Sequence, residues 1–410
     1  MRLADRMTRV EESATLRLSR RVAELRASGA DLVDLGAGEP DFPSPQVAVE
    51  AVARALRDGH TKYTEVGGLP ALRGALADRF RALGAPWGPV DGLITVGAKA
   101  ALFEVALALV QPGDEVVVPS PCWVSIPDQA RLAGAEPVFV PTAAADGFAI
   151  RAEPILAALS PRTRAVVINS PCNPTGGLIA AKELERVVEE CSRRGVAVVS
   201  DETYDRFVWD GRTHASIAAL ACDYPQTVVL VGSFSKTFAM TGWRIGYVFA
   251  PKAILAAVRT VQSHVTSNVT TFAMHGALAA LEHGEAEVQE RLLEYQARRD
   301  LLSSGLGGLP GFGLVAPAGT FYAFPDCSGS FRPGLEGSVA FAEYLLESAG
   351  VVVVPGSAFG DDRHLRLSFA ASRATIAEAL ERMRAAVEPA VLDERAAASG
   401  APADAVGDRR

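Results

Sequence analysis

The sequence predicts an α/β fold, a large unit built on a mostly parallel seven-stranded sheet followed by a small α+β unit. Three observations carry this expectation. Between residues 93 and 249, short runs rich in Val, Ile and Ala alternate with amphipathic stretches of helical period, the pattern of strands and their covering helices. Beyond residue 285 the pattern changes to one long charged helix and then strand-like runs without the earlier alternation. Finally, a chain of 410 residues exceeds what one hydrophobic core usually serves.

Taken in order, helices are expected over 47–57 and 69–83, and the segment between them carries the turn residues Gly59, Gly67 and Gly68, so it predicts a surface loop reaching outward. Strands come next, at 93–96, 115–118, 136–140, 165–169, 196–200, 227–231 and 245–249. The helix over 182–194 reads KELERVVEECSRR, which sets Leu184, Val187, Val188 and Cys191 on one face. Gly195 ends it, because glycine accepts the left-handed conformation of a helix stop. A long helix over 285–306 and strands over 321–324, 351–354 and 365–369 make up the smaller unit. Residues 391–410 are rich in Ala, Gly and Asp without an apolar stripe, and a disordered tail is expected there.

Composition limits the function. With 49% hydrophobic and 21% charged residues the chain has ample material for a core. The net charge of −8 argues against a nucleic-acid partner, which selects a basic face. No apolar run approaches the roughly 20 residues of a membrane span; the stretch from Ala100 to Val110 is cut by Glu104. The first thirty residues lack the apolar core and cleavage site of a secretory signal, so a cytoplasmic location is expected. Cys122, Cys172, Cys191, Cys222 and Cys327 are odd in number and form no C-x-x-C pair, which reads as reduced thiols and no metal site.

Three segments carry chemistry. Residues 233–246, SFSKTFAMTGWRIG, come directly after an apolar strand, and side chains just past a strand's carboxyl end project into a crevice. Lys236 is therefore a candidate nucleophile, and Ser233, Ser235, Thr237 and Arg244 gather hydroxyls and a guanidinium suited to a phosphate ester. No G-x-x-x-x-G-K-[ST] loop exists, so this is not a nucleotide-binding P-loop. Residues 169–177, NSPCNPTGG, form a Pro- and Gly-fixed loop presenting Asn173. In residues 198–204, VVSDETY, Asp201 ends an apolar strand, where a carboxylate is costly unless a cation meets it, and Tyr204 lies three residues on.

Together with GEPDF (38–42), KYTEVGG (62–68), SPCW (120–123), and VPGSAFG with LRLSFA (354–360, 365–370), these segments resemble the class I aminotransferases of pyridoxal phosphate fold type I, in the family's order across nearly the whole chain. The resemblance implies pyridoxal 5′-phosphate as cofactor, with Lys236 as the Schiff-base lysine and general base. It makes Asp201 the partner of the pyridine nitrogen, Asn173 and Tyr204 the partners of the ring oxygen, and Trp123 the stacking ring. Ser233, Arg244 and the backbone N–H groups of Ala98 and Lys99 match the phosphate site, where a helix N-terminus favours the dianion. Tyr63 matches a tyrosine that reaches the phosphate of the neighbouring subunit, which implies a homodimer with shared sites. Arg366, assisted by the Gly38 backbone, matches the grip on the substrate α-carboxylate; Lys99, Ser13 and Thr15 match groups that meet the distal carboxylate of aspartate.

The activity this resemblance implies is that of a ping-pong aminotransferase acting on an L-amino acid, aspartate first, and a 2-oxo acid such as 2-oxoglutarate or oxaloacetate. The implied division is a large cofactor domain over 46–290 and a small domain from 1–45 with 291–390. Cys122, Cys172 and Thr203 depart from the family pattern, where tyrosine, asparagine and an aliphatic residue are usual; all three flank site residues. The same constellation also serves prephenate, aromatic or alanine transamination, and elimination or cyclisation in relatives. A cofactor-binding sensor module would carry a DNA-binding domain, which is not expected before Gly38. A hydrolase is disfavoured because no G-x-S-x-G elbow is present.

Overall fold

The structure is a computed structural model and describes residues 3–10 and 14–388. In chain order its regular elements are α1 (Ala14–Ala27), β1 (Val33–Asp34), α2 (Gln46–Arg57), α3 (Pro70–Arg81), β2 (Gly92–Thr95), α4 (Gly97–Leu109), β3 (Glu115–Ser120), α5 (Ser125–Leu132), β4 (Glu136–Pro141), α6 (Ala152–Ala157), β5 (Thr163–Asn169), α7 (Ala181–Arg194), β6 (Ala197–Asp201), β7 (Val228–Ser233), β8 (Gly246–Phe249), α8 (Lys252–Val265), α9 (Thr271–His283), α10 (Glu285–Gly307), β9 (Tyr322–Ala323), α11 (Gly337–Ala349), β10 (Val351–Val352), β11 (Val354–Pro355), β12 (Leu365–Ser368) and α12 (Arg373–Val387).

The seven strands β2 to β8 form one sheet in the order β2-β8-β7-β6-β5-β3-β4. After β2 the chain crosses to the far side, lays down β3 and the edge strand β4, and returns through β5, β6 and β7. Only β8 runs against its neighbours. The connection 234–245 from β7 to β8 holds no α-helix to carry the chain back across the sheet, so the next strand turns antiparallel. This same loop carries Lys236 and Arg244.

The pleat divides the sheet's side chains between two apolar layers. Val166, Val198 and Leu230 face the layer that takes Leu184, Val187, Val188 and Cys191 of α7, the four residues that the helical period sets on one face. Val199, Val229 and Val231 face the layer of α4 and α8. Burial on both faces explains why the central strands read as continuous apolar runs. Gly195 closes α7 at φ 67°, in the left-handed region.

A separate apolar cluster joins Val33 and Leu35 to α10, α11, α12 and the strands beyond residue 320. Tyr204, Phe207 and Trp209, from the middle of the chain, are buried in this cluster rather than under the large sheet. Trp209 donates its indole N–H to the Thr320 carbonyl at 2.8 Å. The apolar run over 351–354 reads in the sequence as one strand. Instead β10 pairs parallel with β1, while β11 pairs antiparallel with β12. All four valines are buried, so the run is uniformly apolar and its pattern does not reveal that its halves have different partners. Ser13 and the tail 391–410 lie outside the described residues, and no helix among the described residues is long and apolar enough to cross a membrane.

Candidate active site

The carboxyl ends of β5, β6 and β7 converge on a cavity of about 690 Å³. Thirteen of the residues singled out in the sequence line it: Gly38, Ala98, Lys99, Trp123, Asn173, Asp201, Thr203, Tyr204, Ser233, Ser235, Lys236, Arg244 and Arg366. Tyr63 does not; it is 90% exposed on the loop between α2 and α3. Thr15 lies in α1, and its side chain is not among those described.

Strand register brings the first two loops together. Asn169 at the end of β5 pairs in register with Asp201 at the end of β6, and its Nδ2 donates to the Asp201 carbonyl at 3.3 Å. Asn169 Oδ1 accepts from the Asn173 backbone N–H at 2.9 Å, which folds the 169–177 loop back over the strand ends. The peptide bonds before Pro121, Pro171 and Pro174 are cis.

Lys236 sits three residues past β7, in a loop braced by Ser233 Oγ, which accepts from the Ser235 N–H at 2.9 Å. Its Nζ donates to the Gly38 carbonyl and lies 5.7 Å from the centre of the Phe321 ring. Loss of solvation, then the nearby Arg366 charge, lowers this amine to about 8. A useful fraction is therefore neutral, and nucleophilic, at physiological pH. Lys99 is also lowered, by burial first and then by Arg244, and its Nζ lies 5.0 Å from the Trp123 ring centre.

Asp201 is buried, and burial pushes its carboxyl up to about 6. Its Oδ1 accepts from the Thr203 N–H at 3.1 Å and from Thr203 Oγ1 at 2.7 Å. Its Oδ2 has no donor among the described residues. Arg366, 3% exposed, donates from Nη1 to Asn173 Oδ1 at 3.2 Å and from Nη2 to the Gly36 carbonyl at 3.0 Å. Its guanidinium lies 4.3 Å from the Tyr322 ring centre and 5.0 Å from that of Phe359. Buried Nε has no partner among the described residues. The Tyr204 and Tyr322 hydroxyls share a hydrogen bond of 2.9 Å. Tyr322 and Asn169, both lining the cavity, were not singled out in the sequence: Tyr322 is an aromatic in a core strand and carries no local signal, whereas Asn169, a polar residue ending an apolar strand as Asp201 does, carries the same signal.

At the opposite end, α4 begins with Gly97 at φ +76°, and among the described residues no side chain caps its N-terminus. Arg244, itself at φ 59°, packs against it and donates to the Thr241 and Val96 carbonyls at 2.9 and 3.3 Å. A Cβ at Gly97 would lie 2.5 Å from Arg244 Nη2, so any side chain there would displace this guanidinium and would also strain the left-handed backbone. Free helix-end N–H groups, a guanidinium and the Ser233 and Ser235 hydroxyls form an anion cradle.

These groups fit pyridoxal 5′-phosphate: the cradle for its phosphate, the lowered amine of Lys236 for its aldehyde, and the donor-free Oδ2 of Asp201 for its ring nitrogen. The fold and site together define a pyridoxal phosphate-dependent aminotransferase, and the chain belongs to the aminotransferase class I and II family, whose model matches residues 30–383. It is 41% identical to the aspartate aminotransferase of Geobacillus stearothermophilus over 95% of this chain and 99% of that protein. It is 42% identical to the aspartate/prephenate aminotransferase of Thermus thermophilus over 93% of this chain and 97% of that one. Among solved structures, the Thermus thermophilus aspartate aminotransferase with maleate superposes with a TM-score of 0.89 at 41% identity, covering 95% of this chain and all of that one. The aspartate aminotransferase of Rhizobium meliloti gives 0.89 at 36% identity, covering 94% and 99%.

Proposed function

We propose that the enzyme moves the amino group of L-aspartate to a 2-oxo acid, 2-oxoglutarate or oxaloacetate, in two half-reactions that share one site. The observation that carries this substrate reading is that Arg366 and Lys99 line the same cavity as Lys236. Two cations beside one nucleophilic amine suit a substrate with two carboxylates. The relatives named as aspartate aminotransferases support it.

When bound, pyridoxal 5′-phosphate supplies an electron sink that makes a Cα proton acidic. Lys236 would anchor it, Asp201 would face its ring nitrogen, Trp123 its ring face, Asn173 and Tyr204 its ring oxygen, and Ser233, Arg244 and the Ala98 and Lys99 N–H groups its phosphate. Arg366 holds the substrate α-carboxylate as a fork and so fixes Cα near Lys236. Lys236 Nζ, freed from the cofactor when the substrate's amine takes its place, would then take the Cα proton, its lowered affinity suiting a base near neutral pH. Lys99, with Ser13 and Thr15, would meet the distal carboxylate.

In the same reading the chain divides into 46–290 and 1–45 with 291–390, works in the cytoplasm, and pairs as a homodimer. The exposure of Tyr63 on an outward loop supports a role in the partner's phosphate site. A second reading, prephenate as substrate, is favoured by the apolar cavity wall of Leu18 and Val22, which suits a ring, and by relatives named for both substrates.

The test is the visible spectrum of the loaded enzyme before and after L-aspartate, L-alanine or L-phenylalanine alone. Loss of the cofactor band with aspartate but not the others supports the dicarboxylate reading. A response confined to another amine discards it.

A further inference from the structure

Thr203 touches the one carboxylate that the cofactor's ring needs. It lies two residues past Asp201 on the turn leaving β6, is buried, and lines the cavity. Any residue but proline at this position could offer the backbone N–H that reaches Asp201 Oδ1 at 3.1 Å. Its hydroxyl, which an aliphatic side chain lacks, adds the second bond, from Oγ1 to the same oxygen at 2.7 Å. Both donors fall on Oδ1, so Oδ2 is left for another partner.

We propose that Thr203 is a positioning residue: its hydroxyl fixes Oδ1 of the Asp201 carboxylate, reserving Oδ2 for the protonated ring nitrogen of the cofactor. This rests on the reading of Asp201 as the cofactor's partner. The surroundings show why help is needed. Burial is the largest influence on Asp201 and disfavours its charge, and the adjacent Glu202 carboxylate acts in the same direction. The Cys172 thiol, Tyr204, and Tyr247 of β8 are also within electrostatic reach of it. Favouring the charge are the two Thr203 donors and, more weakly, Lys236. The balance leaves Asp201 at about 6, so it is mostly ionised at pH 7. Hydrogen bonds to a charged group are strong enough that losing one should move that midpoint up by about one pH unit.

Thr203→Val keeps the shape and removes the hydroxyl, and Thr203→Ser restores a donor. Apo-protein of each, with wild type and Asp201→Asn, is titrated with pyridoxal 5′-phosphate from about pH 5.5 to 9, following Trp fluorescence and the cofactor's visible band. For Thr203→Val the pH midpoint of cofactor affinity should rise by about one unit. Binding should then be about fivefold weaker at pH 6 and equal to wild type near pH 9. Thr203→Ser should track wild type. If Thr203→Val is not recovered folded, Thr203→Ala makes the same comparison.

A Thr203→Val profile that overlays wild type across the range, while Asp201→Asn binds weakly, overturns the inference and leaves the role of Asp201 intact. Wild-type binding by Asp201→Asn overturns the role of Asp201 and the inference with it.

Discussion

Replacing Arg366 with lysine tests the substrate clamp most directly. The guanidinium already spends two of its N–H groups on Asn173 Oδ1 and the Gly36 carbonyl, while buried Nε remains without a partner among the described residues. Tyr322 and Phe359, 4.3 and 5.0 Å away, set the plane of the fork. A lysine ammonium keeps the charge but cannot hold Asn173, Gly36 and both oxygens of a carboxylate at once. Losing one charged hydrogen bond, about 1.5–3 kcal/mol, lowers kcat/KM by about 10- to 150-fold. The loss should fall on KM, because the carboxylate is held alike before and during proton removal. Stopped-flow measurement of the first half-reaction with L-aspartate gives both constants, and cofactor content serves as the control. Primary amines without a carboxylate should react equally with both enzymes. If aspartate retained its wild-type kcat/KM, or the simple amines lost as much as aspartate, Arg366 would not be the carboxylate clamp.

Lys236→Ala should fold normally and lose at least about 10² in turnover, the usual contribution of a general base; full activity would end the mechanism. In the apo-protein, Lys236 should react with amine-directed reagents with a midpoint near 8, and Arg366→Gln should raise that midpoint, since the Arg366 charge helps to lower it. An unmoved midpoint counts against their proximity. A Cβ at Gly246 would lie 2.4 Å from Gly97 C and 2.5 Å from Ala98 N, so Gly246→Ala should push β8 from the start of α4 and weaken cofactor affinity more than it lowers Tm. Unchanged affinity would refute that. Buried Glu104 has no hydrogen-bond partner for either oxygen among the described residues, and burial raises it to about 7. The fold thus favours its neutral form, and that contribution is complete below the unfolded value of 4.5 and lost as pH rises through about 7. Glu104→Gln should therefore raise Tm over wild type by a margin that grows from pH 5 to pH 8; a constant margin contradicts the assignment.

Much of this protein was legible in its sequence. The central strands announced themselves because burial on both faces demands unbroken apolar runs, and α7 because one face alone is buried. Lys236 and Asp201 were legible as site candidates because the rule behind them is local: a polar side chain just past a parallel strand's carboxyl end faces a crevice. What the tertiary structure decided is what depends on pairing between distant segments. Arg366 reaches Asn173, far away in the chain, only because β12 packs between β9 and β11. Tyr322 enters the site through that same pairing, opposite Ser368. Tyr204, Phe207 and Trp209 leave the large sheet's core for the other cluster, and the halves of the run at 351–354 part to different partners. Likewise the lowered amine of Lys236 and the raised carboxyl of Asp201 come from desolvation and neighbouring charge, which exist only once these segments have closed around one cavity. Periodicity records which side of a segment is buried; it carries no information about which partner buries it.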